Sequence, residues 1–279
     1  MITIKQGPGD TVVATQTVNR PTIYLDQWMW CRLSEDTVIR NEFLDVARAV
    51  NATIMYSLIS FLELGKISDP RQITALKSVM DELDFGFIEM NPRTVIDIEI
   101  SSETTHSTFA DFNPAVDREL IKYIASHLYH GDISRVSLII DAIAQEASSR
   151  FHDIAQRFAD GLAPVVEIAR NRPSALHQSK QRIRKRLTQR SFPPYTRDLY
   201  QVVLDFIVSN KTMRMSPNEW IDVFHMVVPV SYLDFVLLDR RWKSFVKQTF
   251  PIHPPNIAQV YCDSELRLFL DALRTYQAP

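Results

Sequence analysis

Apolar residues along this chain change their spacing twice. Between residues 21 and 100, short apolar runs alternate with helical stretches. Thr22-Ile23-Tyr24-Leu25, Thr53-Ile54-Met55-Tyr56 and 85–90 read as buried strands. Residues 36–50 place Val38, Phe43, Val46 and Ala47 at helical spacing between charged neighbours. Ser57 suits the N-cap of a helix over 58–66, and Pro70 suits the first turn of another that reaches about residue 83. From 92 to 212 the strand signals fade. Helices are predicted over 114–129, 134–160, 162–170, 174–189 and 195–209, separated by Gly131-Asp132, Gly161, Asn171-Arg172-Pro173 and Pro193-Pro194. Alternation then returns, with helices over 217–228, 240–246 and 263–275 and strands over 235–238 and 257–261.

Strand–helix alternation without hairpin turns predicts an α/β fold with a parallel sheet and helices on both faces. The organisation that follows has an irregular lead-in over 1–20, with Gly7-Pro8-Gly9 as a turn. A discontinuous α/β core covers 21–100 and 213–279, and a large all-helical insertion covers 101–212.

Composition narrows the chemistry. The chain has 279 residues, 31 basic against 33 acidic, so it is no polyelectrolyte for coating nucleic acid or membrane. It has only six glycines, where ordinary usage would give roughly twenty. No GxxxxGK[ST] or GxGxxG can be written from them, so those phosphate cradles are excluded. Two distant cysteines, Cys31 and Cys262, make neither a disulfide framework nor a thiolate zinc site. The start of the chain lacks the features of a signal peptide, and no apolar run spans a membrane, so a soluble cytoplasmic protein with no membrane partner is expected.

Several acids fall where open α/β folds place their sites. Asp26 follows the first strand and Asp239 follows the strand over 235–238, so both belong at the carboxyl edge of a parallel sheet. Glu63 lies on the helix after the second strand. Asp222 lies on the helix leading into the late strand, and Asp234 begins that strand. Carboxylates that converge stay ionised only around a cation, and oxygen donors point to Mg²⁺ or Mn²⁺. Acids at strand ends also serve as ordinary helix caps, and that reading stays open at this point.

Tyr24-Leu25-Asp26-Gln27-Trp28, Ser57 to Leu64, Trp220 to His225 and Tyr232 to Trp242 resemble the ordered acidic motifs of PIN-like ribonucleases. The resemblance covers roughly 20–100 and 213–265. It implies that Asp26, Glu63, Asp222 and Asp239 form the catalytic set, with Asp26, Asp222, Asp234 and Asp239 holding Mg²⁺ or Mn²⁺. It further implies hydrolysis of phosphodiester bonds, in single-stranded RNA ahead of DNA, in a toxin or defence role. The chain departs from the family at Gln27-Trp28 and at Leu237-Leu238, which stand where small polar residues are frequent.

A basic stretch supports a nucleic-acid partner. Arg170, Arg172, Lys180, Arg182, Arg184, Lys185, Arg186, Arg190 and Arg197 occur with no acid between 168 and 197, so the rest of the chain sums to −11 (−2 minus 9). Lys180, Arg182, Arg184, Lys185, Arg186 and Arg190 are the candidate phosphate contacts. A solvated helix pairing with acidic surface, in this chain or in a homodimer, is the plainer alternative, and a neutralising protein partner is open as well. Trp28, Trp30, Trp220 and Trp242 all lie beside the acids, as packing or as stacking platforms for bases. His225, one turn after Asp222, either packs against the sheet or reaches the reacting phosphate. The rival functions are a catalytically degenerate module that binds RNA or a protein, and a phosphatase of the haloacid-dehalogenase type. The second lacks its DxDx[TV] pair, because Asp26 is followed by Gln27-Trp28.

Overall fold

The computed structural model describes residues 2–6, 12–104, 116–127, 131–132, 135–187, 196–250 and 257–277. Five short strands, β3 (Thr22–Leu25), β4 (Thr53–Tyr56), β5 (Asp84–Phe87), β7 (Phe235–Leu237) and β8 (Gln259–Tyr261), form a parallel sheet in the order β5-β4-β3-β7-β8. Strands β3 and β4 are buried along their whole length, which is why they read as continuous apolar runs rather than alternations. The chain runs outward from β3 to β4 and β5 and returns to the middle for β7, which pairs with β3. The strand order therefore reverses between β3 and β7. The crevice at their carboxyl ends is where an open α/β sheet accepts a ligand.

Helices flank the sheet. Those that frame the crevice are α1 (Gln27–Glu35), α3 (Leu58–Leu64), α11 (Pro217–Tyr232) and α12 (Arg240–Thr249). Helix α11 opens with a full capping box of Ser216 and Glu219 with Pro217 in the first turn, so its start is locally fixed. From 220 to 231 every residue of α11 is buried except Asp222. A helix apolar on all sides is a core helix, and α11 is held between the sheet and the insertion.

The described parts of the lead-in form strands, against the expectation of an irregular segment, while the expected turn at Gly7-Pro8-Gly9 lies outside the described residues. β1 (Ile2–Gln6) and β2 (Val12–Gln16) form an antiparallel pair, and β6 (Gly131–Asp132) joins β1 on its other side. The region over 101–212 is thus not purely helical. Ile2 and Ile4 are buried while Thr3 and Lys5 are not, the alternation of a half-buried strand. The Gln16 carboxamide donates to the Phe87 carbonyl and accepts from the Phe87 N–H, both at 2.9 Å, which ties this small sheet to edge strand β5.

Within the insertion, 134–160 and 162–170 divide at a different place from the one predicted. Helix α7 (Ser137–Ile143) ends early, and α8 (Ala147–Arg170) runs unbroken through Gly161 and Pro164. Helix α8 packs on both α3 and α11. Phe158 meets Phe224 edge-on at 4.3 Å between ring centroids, and the Lys66 ammonium lies 3.5 Å from the Phe151 centroid. This burial outweighs the propensity cost of one glycine and one proline. The insertion is therefore a buttress beneath two helices of the crevice. No helix among the described residues is long and apolar enough to cross a membrane.

Candidate metal centre

Each acid of the crevice is placed by a local device. The Asp26 side chain caps α1, with Oδ1 accepting from the Gln27 N–H at 2.8 Å, and the backbone N–H of Asp26 donates to the Leu237 carbonyl at 3.2 Å, continuing the β3–β7 ladder. Asp239 caps α12, with Oδ1 accepting from the Trp242 N–H at 2.8 Å. Capping and site-building are not alternatives here, because one oxygen fixes the carboxylate while the helix N-terminus favours its charge. Ser57 caps α3, whose seven residues are all buried, Glu63 included. A stack from Trp30 of α1 to Tyr56 of β4 to Phe61 of α3, with centroid separations of 5.4 and 5.1 Å, locks the elements carrying Asp26 and Glu63 together.

Asp26, Glu63 and His225 each present a donor atom, and these three atoms lie within 4.8 Å of one another. His225 Nδ1 stands 3.8 Å from Asp26 Oδ1 and 3.7 Å from Glu63 Oε2, and the Tyr24 hydroxyl sits 2.9 Å from the same nitrogen. Asp222 shares the electrostatic environment of Asp26, His225 and Asp239. The sheet edge thus brings Asp26, Glu63 and His225 together. Asp222 lies near enough to feel the charges of Asp26, His225 and Asp239, but among the described residues neither Asp222 nor Asp239 belongs to this donor cluster.

The electrostatics follow from this crowding. Burial, with the Asp26 and Asp222 charges adding, pushes the Glu63 carboxyl up to about 7 against the pull of His225. Burial, with Asp26 and Asp239 adding, likewise pushes Asp222 up to about 6 against His225. Burial disfavours a charged imidazole, yet Glu63, Asp26 and Asp222 outweigh it and push His225 up to about 9. Burial, then Asp26 and Glu63, hold the Tyr24 phenol well above its usual range. Carboxyls driven toward protonation by burial and, after it, by one another are those a divalent cation would keep ionised, so this donor set fits such an ion.

Asp234 does not belong to this group. It sits at the amino end of β7, five residues and roughly 16 Å of strand from Asp239. Its oxygens accept from Arg20 Nε at 3.1 Å and a second Arg20 nitrogen, from the Thr22 N–H at 2.8 Å, and from the Thr22 and Tyr276 hydroxyls at 2.9 and 3.0 Å. Those bonds saturate it, and a metal-ligand role for Asp234 is withdrawn.

The basic stretch divides as well. Helix α9 (Pro173–Leu187) packs on α10 (Thr196–Ser209), α8 and α12. Arg182 donates from Nε to buried Asp205 at 2.6 Å, and buried Arg170 donates to the carbonyls of Ile207, Asn210 and Met213 at 2.7, 3.0 and 2.7 Å. Both are structural, which corrects the nucleic-acid assignment of Arg182. Lys180, Arg184 and Lys185 are exposed. Arg190 and the side chain of Arg186 lie outside the described residues. Trp30, Trp220 and Trp242 are buried and pack rather than offering faces to bases, while Trp28 is half-buried.

Two site residues were under-read in the sequence. His225 was visible three positions after Asp222, but periodicity gives a packing histidine the same spacing. Tyr24 read as a strand filler, and the signal was that a buried tyrosine hydroxyl needs a polar partner. No family model, curated protein or solved structure matches the chain.

Proposed function

We propose that the protein is a metal-dependent, PIN-like endoribonuclease that hydrolyses phosphodiester bonds of single-stranded RNA. The observation that supports this most is the meeting of Asp26 and Glu63 with His225 at the switch point of a parallel sheet, with Asp222 in reach of their charges. Asp26, Glu63, Asp222 and Asp239 would hold Mg²⁺ or Mn²⁺. When bound, such a cation offsets the phosphodiester's charge and acidifies a water. The protein's own contribution is positional: Asp26 and Asp239 are fixed by their caps, and Glu63 and Asp222 by the buried helices that carry them. Lys180 and Arg184 on α9, which packs against the Asp239-capped helix, supply positive charge for a phosphate backbone.

One observation favours a second reading, an RNA-binding module without catalysis. His225 already sits among the acids and offsets part of their charge. Labelled single-stranded RNA incubated with Mn²⁺, wild type beside Asp26→Asn and Glu63→Gln, decides between them. Cleavage that falls at least about 100-fold in both variants supports the nuclease. Cleavage that survives both overturns the assignment, and RNA binding without cleavage in the wild type moves the protein to the second reading.

A further inference from the structure

We propose that His225 Nδ1 is itself a metal donor, making this a mixed carboxylate–imidazole site that prefers Mn²⁺ to Mg²⁺. The proposal deepens the metal-centre reading and rests on it. His225 is 2% exposed, on a helix whose other residues around it, Asp222 apart, are apolar and packed. A buried imidazole needs polar compensation. The ring directs Nδ1 at Asp26 and Glu63, yet at 3.8 and 3.7 Å neither contact is a hydrogen bond, which for charged partners closes to about 2.7–2.9 Å. Among the described residues Nε2 has no partner at all. These separations suit donors that share an ion. With bonds of about 2.2 Å, two donors on one cation stand at most about 4.4 Å apart. A direct salt bridge would have drawn the three groups closer, and the Tyr24 hydroxyl, 2.9 Å from Nδ1, holds the ring with this nitrogen toward the acids.

Imidazole changes which cation the site selects. Carboxylates alone suit Mg²⁺ and Mn²⁺ alike, whereas a nitrogen donor favours the transition ion. Tyr24 sets the competition. Its hydroxyl lies 2.9 Å from Nδ1, the nitrogen a metal would need, so on filling of the site that contact must open and the imidazole must give up the proton the acids favour.

The test is pulsed electron paramagnetic resonance on the full chain loaded with Mn²⁺, which detects a coordinated imidazole ¹⁴N independently of activity. The expected result is nitrogen modulation in the wild type and its loss in folded His225→Gln. Mn²⁺ bound without nitrogen modulation, or modulation that persists in the variant, overturns the proposal and leaves the carboxylate site standing. Failure of the wild type to bind Mn²⁺ at all removes the metal-centre reading, and this inference with it. If His225→Gln does not fold, Tyr24→Phe replaces it. Removing the competing hydroxyl tightens Mn²⁺ binding about five-fold, and unchanged or weaker binding overturns the proposal.

Discussion

Asp26 and Asp234 show how little a residue's type says about its task. Both are strand-flanking aspartates, but one follows β3 at the carboxyl edge and the other precedes β7 at the amino edge. Asp26 keeps company with other acids and a histidine, whereas Asp234 is consumed by Arg20, Thr22 and Tyr276. Removing Asp234 leaves buried donors unsatisfied and Arg20 unpaired. Asp234→Ala is expected to lower stability by about 2–4 kcal/mol in urea titration while leaving Mn²⁺ affinity unchanged in calorimetry. A ten-fold loss of Mn²⁺ affinity would return Asp234 to the metal site.

At the scale of elements, the insertion meets the core at a tight contact. A Cβ on Gly65, just past α3, would stand 2.9 Å from Ala147 Cβ, 3.1 Å from the Phe61 carbonyl oxygen and 3.2 Å from Ile143 Cγ2. Gly65→Ala therefore forces α3 and α8 apart, and a loss of about 1–3 kcal/mol is expected by urea denaturation. Helix α9 offers a contrast within one element. Lys180 and Arg184 lie one turn apart, are exposed, and make no ion pair among the described residues, whereas Arg182 is bound to Asp205. Neutralising Lys180 and Arg184 together should flatten the slope of log affinity for single-stranded RNA against log salt by about 1.4. Arg182→Ala should leave that slope unchanged and lower the melting midpoint, because Asp205 is left buried without its partner. The elements themselves were legible where the signal is local. Ser57 caps α3 as expected, Pro70 and Pro217 stand in the first turns of the helices predicted there, and β3 and β4 stand on the residues that their apolar runs marked. Several elements were not legible, among them the helix over Pro92–Thr104 and β6. Helix α1 was hidden because its cap is Asp26, which reads equally as the end of a strand. The β1–β2 pair was hidden because Gly7-Pro8-Gly9 dominates a lead-in whose alternation covers only a few residues.

For the molecule as a whole, Glu89 and Asp117 add to the pH dependence of folding that Glu63 and Asp222 set at the crevice. Burial pushes Glu89 up to about 7, with Asp117 and Glu119 adding and the N–H groups of Met90 and Asn91 opposing. Burial likewise pushes Asp117 up to about 6, against the N–H groups of Leu58, Leu120 and Glu119 and with the Glu119 charge adding. Both carboxyls hold protons more tightly folded than unfolded. Their contribution is full below about pH 4, where the unfolded groups are also protonated, and is lost as pH rises through 6 and 7. The wild type is expected to lose at least about 2 kcal/mol between pH 5 and 8 in urea titrations, and Glu89→Gln measurably less.

The chain by itself determined the parallel α/β core, the all-buried strands and the caps, because these depend on the spacing of apolar residues and on side chains acting within a turn of the backbone. It also marked Asp26, Glu63, Asp222 and Asp239 as acids at the ends of core elements. Tertiary structure alone decided which of the marked acids face one another. It set Asp234 on the far edge, buried Arg170, tied the exposed Arg182 to Asp205, made α8 the support of α3 and α11, and lodged His225 between Asp26 and Glu63. The reason is that strand order and helix packing join residues up to some 200 positions apart, and no pattern within a few turns of chain encodes which partners will meet.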